Sequence, residues 1–282
     1  MQPSVPANSI STNTPARAGG LADGLRAMAA SWRTMFAERL AYGGFLGYLA
    51  SWVAIPLFQI GIVAMIYGRG RPDLLNYAVV ALAANACVFS TVYFVGEILD
   101  RERIKGTLVG LFLAPCPRLS WLTGFALIGV VESALSAAVA LAVGRLFLGV
   151  RFDPHWGSLA LTLVLFLGGL WGIGLVFSAI GLAIKKANPF SNLVSPFLML
   201  LGGAYYPITL LPEPLRTLAH GLPLGYGMQA LADAALRRAT PADLAPQLLP
   251  LAGFAVALPI AGVLAFRWVE RAVRQRGELD LY

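Results

Sequence analysis

Charge is what this sequence has least of. Asp, Glu, Lys and Arg make up 12% of its 282 residues, against about 25% in ordinary soluble domains. With 58% hydrophobic residues and a mean hydropathy of +0.72, most of its surface cannot face water. Lysine is scarcer still. Lys105, Lys185 and Lys186 are followed by Gly, Lys and Ala, so none can serve the Gly-x-x-x-x-Gly-Lys-Ser/Thr loop that cradles nucleotide phosphates. Cys87 and Cys116 sit in an apolar run and a charged loop, which argues against a disulfide. Neither they nor His155 and His220 show metal-ligand spacing. No Gly-x-Ser-x-Gly elbow, His-Glu-x-x-His pair or Asp-rich diphosphate motif is present. These absences count against a membrane enzyme. The Ser/Thr/Asn/Pro/Gly-rich start, residues 1–20, lacks the basic-then-apolar pattern of a signal peptide and reads as a disordered cytosolic tail.

What is present is a series of six apolar runs. They cover approximately 42–67, 77–99, 119–143, 159–184, 190–211 and 248–268. Each is near the ~20 residues that cross ~30 Å of hydrocarbon. The net charge of +7 does not imply nucleic acid, because the basic residues stand at the ends of these runs. With both termini inside, fourteen fall on the cytosolic side: Arg17, Arg26, Arg33, Arg39, Arg101, Arg103, Lys105, Arg118, Lys185, Lys186, Arg267, Arg271, Arg274 and Arg276. Seven fall outside: Arg69, Arg71, Arg145, Arg151, Arg216, Arg237 and Arg238. The positive-inside rule therefore orients the chain in the plasma membrane with both termini in the cytosol. The expected organisation is an all-α integral membrane protein: tail 1–20, interfacial helix 21–40, six-span domain 41–268 and cytosolic tail 269–282.

Several stretches carry more than a span. Leu25, Met28, Trp32, Met35 and Phe36 share one stripe of a basic amphipathic helix, which predicts that it lies in the membrane interface. Gly168-Gly169-x-x-Gly172-x-Gly174 offers small residues for close helix packing. The longest charged interruption, 100–118, begins Asp-Arg-Glu-Arg-Ile-Lys-Gly-Thr-Leu. Leu108, Leu111 and Phe112 then share the face of a short helix closed by Pro115 and Pro117. It reads as a docking element presented to the cytosol. Leu224, Met228, Leu231 and Ala235 keep a helical period within 212–250, but that helix is too short to cross. A re-entrant or interfacial helical hairpin on the outer side is expected there.

Among individual residues, Glu132 lies in the middle of the third run. A carboxylate at that depth serves either a translocation cavity or an interhelical hydrogen bond. Glu97, near the cytosolic end of the second run, is placed for a structural or gate ion pair. Tyr205 and Tyr206, beside Pro207, fit an interfacial aromatic belt or the lining of an outer gate.

The segment Asp100–Leu108 running on to Ala114-Pro115 resembles the charged-Gly-Thr-Leu…Pro signature of type-2 ATP-binding-cassette exporter permeases. Leu200-Leu201-Gly202-Gly203-Ala204-Tyr205-Tyr206-Pro207, continuing to Pro212 and Leu222-Pro223-Leu224, is similar to the end of that family's fifth helix. The resemblance spans roughly Leu25 to the C-terminus, with Val109 and Pro117 as departures. It implies a dimer with a second, identical or paralogous permease copy, each docked on a cytosolic ATPase that holds ATP and magnesium. Gly106–Pro115 would be the coupling helix, with Arg103, Gly106, Thr107, Leu108, Leu111 and Pro115 as its working residues. Arg26–Phe36 would be an interfacial elbow, and Pro212–Arg237 the external helices closing the outer mouth. The cargo expected is amphipathic or lipid-like. The alternative, an ion- or proton-driven secondary transporter, would rest on Glu132.

Overall fold

The computed structural model describes residues 25–26, 28–30, 32–34, 37, 53–54, 57–67, 70, 72–108, 110, 118–184, 187–204 and 206–276. All regular structure among them is helical. The order is α1 (Leu57–Tyr67), then α2 (Pro72–Val88), a π-helical segment (Phe89–Tyr93) and α3 (Phe94–Ile104). These are followed by α4 (Arg118–Leu148), α5 (Trp156–Ile184) and α6 (Ala187–Gly202). A 3₁₀ turn (Ile208–Leu210) leads to α7 (Glu213–His220), α8 (Pro223–Leu236) and α9 (Ala245–Arg276).

Four helical stretches are long and apolar enough to cross a membrane: Pro72–Tyr93, Leu119–Leu148, Trp156–Ile184 and Ala245–Val273. They match the second, third, fourth and sixth apolar runs. Of the first run, Leu57–Tyr67 is described as helix. The fifth run is not one continuous helix. Its helix α6 has 16 residues, about 24 Å at ~1.5 Å per residue, and stops where Gly203 turns left-handed at φ +74°. Of the expected interfacial helix, the described residues between Leu25 and Ala37 are helical, with Leu25 and Trp32 exposed. Met35 and Phe36 lie outside the described residues, as does the tail 1–20; of the expected tail 269–282, residues 269–276 continue α9 as helix.

Helix α5 is the hub. On one side its Leu175, Ala179 and Leu182 join α3, α4 and α9 in a core that holds Ile98, Leu122 and Phe266. On the other, Phe166, Leu170 and Ile173 meet α2, α6 and α8 around Leu224 and Met228. In lipid no hydrophobic force drives helices together, so close van der Waals approach must. The glycines supply it. A Cβ on Gly172 would collide with the Leu258–Pro259 backbone of α9, and one on Gly262 would sit 2.8 Å from the Gly172 carbonyl oxygen. Pro259 lacks an N–H and frees the carbonyl of Ala255 four residues back. That carbonyl lies beside Gly168. Gly169 faces Pro223 of α8, and Gly174 faces Val95 of α3 and the Thr91 carbonyl of the π segment. The glycine stretch does serve packing, but against three neighbours rather than along one face.

The hairpin of α7 and α8 follows the expected period. Leu224, Met228, Leu231 and Ala235 are all buried. Helix α8 packs against α5, α9, α2 and α6, so it is inserted between helices rather than laid on a surface. Arg216 fastens its approach by donating to the Thr209 carbonyl (2.7 Å) and the Leu211 carbonyl (3.2 Å).

Candidate functional site: two glycine-terminated turns joined by one rod

The charged loop owes its shape to a helix end. After Ile104, Lys105 still has helical dihedrals, and Gly106 then takes φ +72°. The Gly106 N–H donates to the Arg103 carbonyl and the Thr107 N–H to the Glu102 carbonyl, each at 2.9 Å. That is a Schellman cap, which satisfies helix-end carbonyls and needs a residue tolerant of positive φ. The Thr107 hydroxyl donates to the Glu102 carboxylate at 2.5 Å. Leu108 is helical again and buried against Val95, Leu99, Leu122 and Phe266. The Gly-Thr-Leu run thus has one physical role per residue: reversal, lock and anchor.

The charges before the turn are neutralised locally. Arg101 pairs with Glu97 (3.8 Å), Arg103 with Asp100 (3.1 Å) and Lys105 with Glu102 (3.4 Å). Glu97, expected as a structural or gate ion-pair residue, lies beside the Arg101 guanidinium one turn on in the same helix. Exposed at the tip are Lys105, Gly106 and Thr107, together with Ile104, whose relative exposure is 81%. Sequence reasoning passed over Ile104. Its signal was an aliphatic residue inside a charged run, at the last helical position before the glycine. Leu111, Pro115 and the rest of 111–117 lie outside the described residues.

The second turn repeats the first. The Gly203 N–H donates to the Leu200 carbonyl (3.5 Å) and the Ala204 N–H to the Met199 carbonyl (3.2 Å), the same pairing pattern at the end of α6. The Tyr77 hydroxyl donates to the Gly203 carbonyl at 3.2 Å. The Tyr206 hydroxyl reaches back to the Leu200 carbonyl at 3.2 Å. Pro207, with extended dihedrals, caps the 3₁₀ turn that begins the hairpin. Tyr205 lies outside the described residues.

Tyr77 stands near the start of the continuous helical run, Pro72–Ile104, that Gly106 ends. At ~1.5 Å per residue, roughly 40 Å of helix separates the two turns. Midway stands the π segment, a wider turn of the kind that recurs at functional positions in helices. Its Phe89 and Tyr93 rings stack at 4.8 Å, and the Ser90 hydroxyl donates to the Ala86 carbonyl at 2.9 Å. The Ser178 hydroxyl of α5 donates to the Val95 carbonyl just beyond it. Glu132, on α4, is 2% exposed. It belongs to neither turn. His155 does structural work, since its Nδ1 accepts from the Ser158 N–H (3.1 Å) and so caps the start of α5.

In comparison with known families, residues 29–236 fit the family model described as ABC-2 type transporter. That stretch contains both glycine-terminated turns, the rod between them and the whole hairpin. No curated protein matches the chain.

Proposed function

The chain belongs to the ABC-2 type transporter family, a multi-pass membrane permease component without a nucleotide-binding loop of its own, and we propose that it works as an exporter with a separate cytosolic ATPase. The observation that carries this is the rod with a glycine-capped turn at each end. The Arg103–Leu108 turn offers Ile104 and Thr107 to a docked ATPase, while Leu108 ties it to the ends of four helices. When the ATPase pair closes on ATP and magnesium, the push enters at this turn. It runs along α3, the π segment and α2 to Tyr77, which holds the end of α6 and the root of the outer hairpin. Tyr206 and Pro207, with Tyr205, sit where that motion would open or close the outer mouth. Six crossings are proposed, α1 and α6 belonging to the remaining two, with both termini in the cytosol and a second permease copy completing the core. The apolar surroundings suit an amphipathic or lipid-like cargo moved outward.

Affinity purification from native membranes tests this directly. A partner carrying a Walker A loop should co-elute with the wild-type chain and be lost from Ile104→Glu, an exposed substitution, and from Thr107→Arg, which also gives up the hydroxyl lock on Glu102. Retention of the ATPase by both variants would remove the turn from the interface. A wild-type chain that elutes without any ATPase under several mild conditions would sink the whole reading.

A further inference from the structure

A cavity of about 290 Å³ lies where α2, α4, α5 and α8 meet the 149–155 connection. Its walls include Val80, Cys87, Leu141, Phe152, Leu163 and Leu231, with the exposed Trp156 at its mouth. The lining side chains are apolar throughout. Water needs two to four polar partners to occupy such a space, and a cavity of about half this volume accepts benzene. A polar or drug-like cargo would need the few orienting polar groups that binding pockets of this size ordinarily carry. A hydrocarbon chain needs none.

The rim is built differently. On α4, Arg145 stands one turn beyond Leu141, and Arg151 adjoins Phe152. Arg237 and Arg238 follow Ala235, another lining residue, at the end of α8. The connection is stitched to α8 by the Asp153 and His155 N–H groups donating to the Ala235 and Ala234 carbonyls, each at 3.0 Å. The exposed arginines meet two acids there: Arg237 pairs with Asp233 (3.3 Å) and Arg238 with Asp153 (3.8 Å). Each guanidinium has five N–H donors, so one long carboxylate contact leaves donors for another anion. Apolar walls beneath a rim of cationic excess, within helices able to cross a membrane, complement one molecule.

We propose that this cavity holds an acyl chain of an anionic bilayer phospholipid, with its phosphate on Arg237, Arg238 and their neighbours. The lipid is a resident ligand, and the assignment depends neither on the cargo nor on an ATPase.

The full chain, reconstituted in vesicles of phosphatidylethanolamine and phosphatidylglycerol, is irradiated with phosphatidylglycerol bearing a diazirine at its acyl terminus, and adducts are mapped by mass spectrometry. They should concentrate on peptides containing 80–87, 137–141 and 159–163. Ala84→Phe and Ala137→Phe, which fill the space, should abolish that concentration. Arg237→Gln with Arg238→Gln should lower it about tenfold, the scale of one charge-assisted hydrogen bond. A phosphatidylcholine probe should respond less to the arginine change. Adducts spread evenly over lipid-facing residues such as Leu249, Val256 and Leu264 would overturn the proposal, even if a filling variant failed to fold. So would a well-folded filling variant with unchanged adducts.

Discussion

Gly172→Ala should be among the most damaging single-methyl additions in this protein, and Gly168→Ala, one turn away on the same helix, should be harmless. The added Cβ at 172 would meet the Leu258–Pro259 backbone and lie 2.7 Å from the Leu258 Cβ, where ordinary contacts begin at 3.4 Å. The nearest atoms, the Leu258 carbonyl carbon and the Pro259 nitrogen, would be only 2.4 Å away. Relief therefore requires α5 and α9 to part by roughly 1 Å, and gaps of ~0.5–1 Å forfeit a quarter to a half of each van der Waals well. The neighbours are backbone, so no side chain can swing aside. Gly262, where an added Cβ would lie 2.8 Å from the Gly172 oxygen, sits at the same crossing and would be pushed away in the same step. Overpacking of this kind costs about 1–3 kcal/mol, and the upper end applies here. Alanine's better helix propensity returns up to ~1 kcal/mol, leaving a net loss of about 2 kcal/mol. At Gly168 the Cβ would sit 3.5 Å from the Ala255 Cβ, an ordinary contact, so the propensity gain stands alone. Reversible unfolding in mixed micelles, titrated with denaturing detergent, measures both. If Gly172→Ala lies within about 0.5 kcal/mol of wild type, or Gly168→Ala is the worse of the two, the α5–α9 crossing is not held by glycine contact.

Gly106→Ala has nothing within 4 Å to clash with. Its cost is the left-handed backbone alone, about 1–2 kcal/mol, so ATPase retention should weaken while Gly106→Asn largely preserves it; equal retention by the alanine variant would remove the strained turn from docking. Arg216→Ala deletes two charge-assisted bonds to carbonyls. Amide exchange over 208–216 should then quicken by about tenfold or more, with α5 unaffected. Glu132→Gln should retain ATP-dependent transport and lose it on ATP depletion, whereas transport that follows an ion gradient and dies with the variant would favour the secondary-transporter alternative. The Thr240 hydroxyl and N–H, both bonded to Asp243, hold its carboxyl below the usual range. That support is complete above the unfolded value of about 3.9 and fades as pH falls through the lower folded value. Protection at Thr240 should follow this course in wild type and be flat in Asp243→Asn.

The glycines show how far the sequence could be read. Gly106 was legible because a charged helix end followed by Gly-Thr-Leu is a local signal, complete within six residues. The α8 stripe was legible for a similar reason: burial on a helix leaves a period in its own sequence. Gly203 was harder. The run continues through Ala204, Tyr206 and Ile208, so hydropathy carries the fifth span past the point where backbone geometry ends the helix at Gly202. The partners of Gly168, Gly169 and Gly174 were not legible at all. Successive helical positions point about 100° apart, and which neighbour stands at each angle is settled by three other segments. The π segment and the apolar cavity are non-local in the same way, since Phe89–Tyr93 contains no proline or glycine to mark it.

Those non-local contacts decide which parts of the molecule can move. The α5–α9 crossing has backbone against backbone and no compressible side chain between, so these helices must travel together. The rod touches this pair through Gly174, beside Val95 and the Thr91 carbonyl, and through the Ser178 hydroxyl on Val95. Both contacts fall at or just past the π segment. A force applied at Gly106 therefore meets a fixed point about halfway to Tyr77. A rod pinned near its middle tilts, so a push at the Arg103–Leu108 turn would become an opposite displacement at Gly203 and the hairpin. Gly174→Leu, which would press on that pin, should uncouple ATP hydrolysis from transport while the ATPase stays bound. Loss of ATPase binding in that variant would instead mean that the Arg103–Leu108 turn itself had shifted, and that the pivot lies elsewhere.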